Sequence, residues 1–585
     1  MKQSTELNDR QIYESNSIIR YLNFRQPALF KLVWNTYLTY RRLQLPAQTQ
    51  DIPFDPITPI VQIQKWSNPP QIMPQDNAPN ILFITFTGWS LVVLMDAIIG
   101  RSLTMRGANV RYFGCGGILP LCYIHNISTS EGIGQMPCGR CRSYVTSCMD
   151  AFGFEIELLK DRVTSQEREQ IQREVNAIPD SDLITYVYDD IHMGYAAYRS
   201  ARWYLMAAAN VNMEEMNPTV RNYIFLGRMV YVAIQQVLNE QSFDRIVMIG
   251  GLHTTELIIR EIAEKRDIDV VCTERGYVAN SFVASHNSAT PLFPYDHIWE
   301  KVKDIPLNET QSEQVIEILN NRRYGFKQLD NLWQVAEEKI STLRQELNLE
   351  EGKPIVAVYT NVVGDVAVID RERGFSGILH WVDTIIEYAK QQPDINFVFR
   401  IHPAETRLLR YKSRVPLGDY IHDQHPIIPE NVKIIPSAST LSSYTLMEIS
   451  DFVMVYTSTI GLESAATGLP VGVGAEVHYR DKGFTQDASS PEILSQLMDD
   501  WIAKPESFKN VNTELARRYL YLMFYRIPIP LSEILSEQGG FGRMRLNIND
   551  WDDLKPGKSK ALDTICNGIL TGSQFLNPFV ETSVS

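Results

Sequence analysis

Residues 81–100, ILFITFTGWSLVVLMDAIIG, decide the class of the fold. The run is nearly apolar and about as long as a bilayer-spanning helix. Three details argue for a different reading. Ile81–Phe86 is β-branched and aromatic, Thr87-Gly88 punctuates the run, and Asp96 falls in its second half. A buried strand, a tight turn and an amphipathic helix account for all three. The N-terminus, MKQSTELNDR, has no apolar signal core, so the expected compartment is cytoplasmic.

The same strand-then-helix alternation extends on both sides. Strand-like runs recur at Val110–Phe113, Leu183–Val187, Arg245–Ile249 and Val270–Thr273, with helical patterns at Val220–Asn239 and Thr255–Glu264. It restarts at Ile355–Tyr359 and continues through Asn396–Arg400, Val432–Ile435, Phe452–Val455 and Val471–Val473, with helices at Gly377–Gln391 and Gly461–Thr467. Such alternation predicts α/β architecture: two Rossmann-like parallel-sheet domains facing a cleft. The expected division is an N-terminal helical extension and Pro-rich connector over 1–79, a first α/β domain with the Cys-rich loop over 80–300 and a helical linker over 301–350. A second α/β domain over 351–510 and a helix and tail over 511–585 complete it. The extension has helical spacing through Ile18, Ile19, Tyr21, Leu22 and through Phe30, Val33, Trp34, Leu38. The linker helices fall at Gln311–Asn321 and Trp333–Leu347. A last helix, Thr513–Tyr525, stops before Ile527-Pro528-Ile529-Pro530, and little periodicity follows Gln538.

Composition excludes the extremes. Apolar residues make up 44% and charged residues 21% of the 585, which fits a globular chain rather than a disordered or fibrous one. The balance of 55 basic against 69 acidic residues, −14 in all, disfavours nucleic acid as a partner.

Open α/β sheets bind ligands beyond the carboxyl ends of their strands, so motifs there carry the chemistry. Thr457, Ser458 and Thr459 follow one strand and open a helix, where free backbone N–H groups favour an anion, and Glu463 lies in position for ribose hydroxyls. A plain serine/threonine cap is the structural alternative. Arg400 and His402 follow another strand, with Pro403 fixing the turn. His478-Tyr479-Arg480-Asp481-Lys482-Gly483 adds basic groups. In the first half, Glu274 ends a strand before a loop containing His286-Asn287 and is the candidate general base. Gly250-Gly251-Leu252-His253 offers backbone contacts, and Asp189, Asp190 and His192 are rival acid/base groups.

Five of the seven cysteines lie between 115 and 148. Cys138 and Cys141 have zinc-knuckle spacing, and Cys115 and Cys122 supply two further thiols. A structural zinc, an iron–sulfur cluster and a reduced cluster without metal all fit that spacing. No catalytic cofactor is expected.

The sequence resembles the bacterial capsule polysaccharide biosynthesis proteins, a group that includes Kdo-transferase-like glycosyltransferases of GT-B architecture. The resemblance rests on Arg400-Ile401-His402-Pro403-Ala404-Glu405, on Tyr456 through Pro470, on His478 through Thr485, and on the helix from Arg517 to Pro530. It implies a metal-independent glycosyltransferase that moves a sugar from a nucleotide-sugar donor to a surface or capsular polysaccharide. Arg400, Thr457, Ser458, Thr459, Glu463 and Lys482 would then bind the donor, and Glu274 and His402 would act in catalysis. It further implies a glycan or lipid-linked glycan acceptor and a peripheral station on the inner membrane face or at export machinery. The rival readings are a CDP-polyol phosphotransferase, a non-catalytic glycan-assembly protein and, more remotely, a sugar-nucleotide epimerase.

Overall fold

The computed structural model describes residues 57–72, 77–122, 138–208, 212–323, 340–407, 413, 415–537 and 544–580. The chain forms two compact units. The first comprises Met1–Ile171, Met229–Ile249 and Leu531–Ser573, and the second Gln172–Arg228, Gly250–Pro530 and Gln574–Ser585. The helical spacing read between Ile18 and Leu38 lies outside the described residues.

In the first unit, strands β1 (Asn80–Thr85), β2 (Asn109–Gly114), β3 (Ile156–Leu158) and β4 (Arg245–Ile249) run parallel in the order β4-β1-β2-β3. Residues 81–100 resolve as expected into β1, a turn in which Thr87 Oγ1 accepts the Trp89 N–H at 3.1 Å, and the helix Ser90–Thr104. Among the described residues no helix is long and apolar enough to cross a membrane. Asp96 lies on the buried face of that helix, where its carboxylate accepts the Thr85 hydroxyl at 2.7 Å. The proline-rich connector carries a short helix, Ile57–Ile63, whose Gln62 exchanges side-chain hydrogen bonds with the Leu546 backbone at 3.2 and 3.1 Å. The tail read without periodicity contains the helix Lys560–Thr571, which buries Ala561, Leu562, Ile565, Cys566 and Ile569.

The second unit is built on six parallel strands: β7 (Ile355–Tyr359), β8 (Asn396–Arg400), β9 (Val432–Ile435), β10 (Phe452–Val455), β11 (Val471–Val473) and β12 (Gln486–Asp487), ordered β12-β11-β10-β7-β8-β9. Alternate residues of the central strands enter different cores. Val356, Val358, Phe397, Phe399, Phe452 and Met454 join one apolar cluster, while Ile355, Ala357, Tyr359, Val398, Val453 and Val455 join another. A parallel sheet covered on both faces reads as a continuous apolar run, which is why the bounds of β7 to β11 match those read from the sequence. The same unit holds β5 (Asp269–Arg275), β6 (Ser281–His286) and β13 (Ile529–Pro530), paired antiparallel in the order β13-β6-β5.

Three local expectations need correction. Leu183–Val187 is not a strand. Asp189 and Asp190 take left-handed φ values of 50° and 57° and reverse the chain into the helix Met193–Tyr204, whose Gly194 donates to the Tyr186 carbonyl at 2.8 Å. The loop expected after Glu274 is short, because β6 returns antiparallel and places Val283 opposite Glu274. The helix at Thr513 is α-helical to Tyr521 and widens to a π-turn over Leu522–Arg526 before the prolines.

Burial pushes the Asp96 carboxyl up to about 7. The folded chain therefore keeps a proton that the unfolded chain releases near pH 4, so the site's stabilisation is complete below about pH 4 and lost as pH rises through about 7. In a urea-unfolding series, Asp96→Asn should gain on the wild type by on the order of 4 kcal/mol across that window. A stability difference independent of pH contradicts this.

Candidate functional site

The carboxyl ends of β8, β7 and β10 are neighbours in the second unit's sheet, and their polar groups satisfy one another. The Thr360 hydroxyl, just past β7, donates to the Arg400 carbonyl at 3.1 Å and accepts the His402 N–H at 3.2 Å. The next residue, Asn361, accepts the Thr457 N–H at 3.2 Å. His402 and Thr457 thus stand on one rim, as the sequence motifs required. Thr457 is buried, and its Oγ1 makes no hydrogen bond among the described residues. A buried hydroxyl without a partner is costly.

The His402 Nδ1 accepts the Ala404 N–H at 3.2 Å, which puts the ring proton on Nε2. Burial, with Arg400 nearby, lowers its pKa to about 4, so the ring is a neutral donor at pH 7. Arg400 turns inward. It is 3% exposed and donates through Nη1 to the Pro436 carbonyl at 2.7 Å and through Nε to the Ser443 hydroxyl at 3.2 Å, holding the connection after β9.

Thr459 precedes the helix Ile460–Ala466 without making a side-chain cap, and its hydroxyl accepts from Arg322 Nη2 at 3.2 Å. The Ser458 carbonyl accepts the Tyr479 hydroxyl. Glu463 is fully buried with both oxygens occupied: Arg322 Nε donates to one at 2.6 Å and the Tyr444 hydroxyl to the other at 2.8 Å. Its carboxylate therefore joins the helices Glu309–Arg323, Ser443–Glu448 and Ile460–Ala466. Lys482 is ion-paired to Asp296 at 2.6 Å.

Sequence reading missed the aromatic group that holds the His478–Lys482 loop. Tyr277, three residues past Glu274, stacks between Phe293 and Phe524 at centroid distances of 4.7 and 5.2 Å. Tyr519 gives its hydroxyl proton to the His478 carbonyl at 2.7 Å, so it receives the Nδ1 proton at 3.0 Å, and Nε2 is left to accept from Tyr277 at 3.3 Å. Burial, then the charges of Arg371 and Lys482, push His478 down to about 3, which keeps the ring neutral. The Arg371 guanidinium makes no hydrogen bond among the described residues, and burial beside Arg199 lowers its pKa.

Glu274 is half-buried, with Oε1 accepting the Arg275 N–H at 3.0 Å, and burial raises its pKa. Glu256, in the first turn of the helix Thr254–Lys265, was not foreseen. Burial pushes it up to about 7 with a further rise from Glu274, and its Oε2 is buried without a hydrogen bond. Gly250, in a left-handed turn, donates to the Thr273 carbonyl at 2.8 Å, and a Cβ there would stand 3.9 Å from Glu274 Oε2. His253 packs edge-on to Trp203 at 4.6 Å, and burial lowers its pKa to about 4. Asp189, Asp190 and His192 instead form a surface turn, in which His192 meets Glu261 at 3.2 Å. Cys115, Cys122, Cys138 and Cys141 border one cavity in the first unit.

Residues 318–515 match the family model described as capsule polysaccharide biosynthesis protein. No curated protein matches the chain. Among solved structures, a β-Kdo 2,7 transferase (KpsC) of Thermosulfurimonas dismutans is 14% identical, with 54% of this chain and 85% of that one covered and a TM-score of 0.29. UDP-GlcNAc 2-epimerase of Neisseria meningitidis is 11% identical, with 76% and 97% covered and a TM-score of 0.26. Anabaena Alr3699/HepE, solved with UDP and glucose, is 11% identical, with 76% and 95% covered and a TM-score of 0.27.

Removing one member of a buried ion pair leaves the other charge uncompensated. Arg322→Ala should lower unfolding free energy by about 3–5 kcal/mol in denaturant titrations, whereas the apolar replacement of both partners, Arg322→Met with Glu463→Leu, should recover most of the loss. Equal destabilisation in the single and double variants contradicts this role.

Proposed function

We propose that the protein is a glycosyltransferase that moves a sugar from a nucleotide donor to a hydroxyl of a surface or capsular glycan, without a catalytic metal; the match of residues 318–515 to the capsule polysaccharide biosynthesis model supports this reading. One observation carries the reading. The ends of three adjacent parallel strands are tied together around His402 and the unpartnered hydroxyl of Thr457.

In such a transfer the bond from the anomeric carbon to the donor phosphate breaks, negative charge grows on the departing phosphate, and the acceptor oxygen loses a proton as it bonds to the sugar. Preorganised donors aimed at the leaving oxygen lower that barrier most. The His402 Nε2–H and the Thr457 hydroxyl are the proposed donors, with Ser458 and Thr459 next to them on the same connection. Arg371 supplies a positive charge not absorbed by a hydrogen bond, while Lys482 acts after exchanging Asp296 for the ligand. Arg400 contributes by fixing the turn that carries His402, and Glu463 by holding the helix behind the Thr457–Thr459 connection. For an inverting course the base is Glu274. Burial raises both Glu274 and Glu256, and the charge of Glu274 adds to the rise on Glu256. A glycan or lipid-linked glycan is the proposed acceptor, met at the inner membrane face or at export machinery.

His402→Ala should reduce turnover by about 10²–10³-fold with a smaller change in KM, because the lost hydrogen bond strengthens in the transition state. Since the ring protonates only below about pH 4, the rate of the wild type should show no His402-dependent fall between about pH 8 and 5. Product mass distinguishes a transferred sugar from a transferred polyol phosphate. Full transfer activity in His402→Ala would overturn the assignment.

A further inference from the structure

The cysteine cluster takes no part in the proposed transfer, and its arrangement carries an inference independent of it. Cys115 follows β2, and Cys138 and Cys141 open the helix Cys138–Ala151. With Cys122 they border a cavity of about 40 Å³ next to the carboxyl ends of β1 and β2, room for a water or one small ion. Cys115, Cys138 and Cys141 are free thiols. Among the described residues no three ligand-type side chains are drawn together as a metal set.

We propose that this cavity is a structural site for a thiophilic divalent cation, Zn²⁺, bound by Cys115, Cys122, Cys138 and Cys141. Four separate features prepare the thiols for it. Cys138 and Cys141 are spaced i, i+3 on one face of a 14-residue helix, in its first turn, where the positive end of the helix dipole favours thiolate. Gly116 and Gly117 hold left-handed φ values of 72° and 84°, and the Gly117 N–H is thereby aimed at Cys115 Sγ, 3.3 Å away. The backbone crowds both helix cysteines: a Cβ on Gly88 would stand 2.5 Å from Cys141 Sγ, and one on Gly117 would stand 3.1 Å from Cys138 Cβ. Arg142 borders the same cavity and offsets negative charge.

Binding replaces four S–H bonds by four Zn–S bonds. Zn²⁺ and four neutral thiols give a tetrathiolate of net charge −2 and four protons released to solvent. Side-chain rotation brings each sulfur to about 2.3 Å from the metal. Four protein ligands leave no open coordination position, so the ion braces the loop after β2 against the helix rather than activating water.

The test uses the full-length protein purified under reducing conditions. Elemental analysis should find one equivalent of zinc. Chelator-stripped protein titrated with cobalt(II) should develop the thiolate charge-transfer and tetrahedral ligand-field absorption of a sulfur-bound ion, and zinc should then bleach it. Cys138→Ser with Cys141→Ser should abolish both signals, while Cys272→Ala, in the other unit, should leave them intact. Because the double variant could fail to fold, the wild-type cobalt titration decides the matter by itself. A folded wild type that gives no such absorption overturns the proposal. So does iron with acid-labile sulfide in stoichiometric amount, or a disulfide among the four cysteines.

Discussion

The second unit depends on how a parallel sheet ends. Every strand in β7 to β11 stops at the same edge, and there its backbone leaves the ladder while still surrounded by protein. Polar groups in that position need partners. Thr360 and Asn361 provide them, bonding to Arg400, His402 and Thr457 across three adjacent strands. The constraint that completes the fold also fixes the rim that the chemistry would use. Behind the rim a single buried carboxylate, Glu463, receives donors from two other helices, so the segment Thr457–Thr459 cannot shift without breaking charged hydrogen bonds.

Burial governs the protonation of this region. His253, His402 and His478 are all held neutral, each chiefly by loss of water and in part by nearby cations. Glu256 and Glu274 move the opposite way, toward the protonated form. The ion pairs Arg322–Glu463, Arg199–Asp370 and Lys482–Asp296 lie in the same unit. Asp370 pairs with Arg199 and Asp296 with Lys482, while the Arg371 guanidinium makes no hydrogen bond among the described residues and has the charges of Glu476 and Asp370 near it.

Much of this was legible in the sequence, for a physical reason. Strands buried on both faces carry uninterrupted apolar runs, so Ile355–Tyr359 and Phe452–Val455 were visible with their bounds. Leu183–Val187 looked the same locally, but Asp189 and Asp190 turned it back onto a helix. β6 was hidden because SFVASH mixes small polar residues with apolar ones and draws its pairing from β5. The helix Lys560–Thr571 was overlooked although Ala561, Leu562, Ile565, Cys566 and Ile569 have helical spacing. At the site, motif reading found His402 and Thr457 but not the direction of each side chain. It could not show that Arg400 turns inward, that Arg322 arrives from a helix far back in the chain to claim Glu463, or that Tyr277 and Tyr519 bracket His478. These partners come from distant sequence, and no local pattern announces them.

The most direct measurement is amide hydrogen exchange of the full chain with and without CMP-, UDP- and GDP-linked sugars. If the strand-end rim grips the nucleotide carrier, one of these ligands should slow exchange selectively at residues 360–362, 401–404 and 457–460. Protection confined to other parts of the chain, or none with any ligand at saturating concentration, would contradict the account.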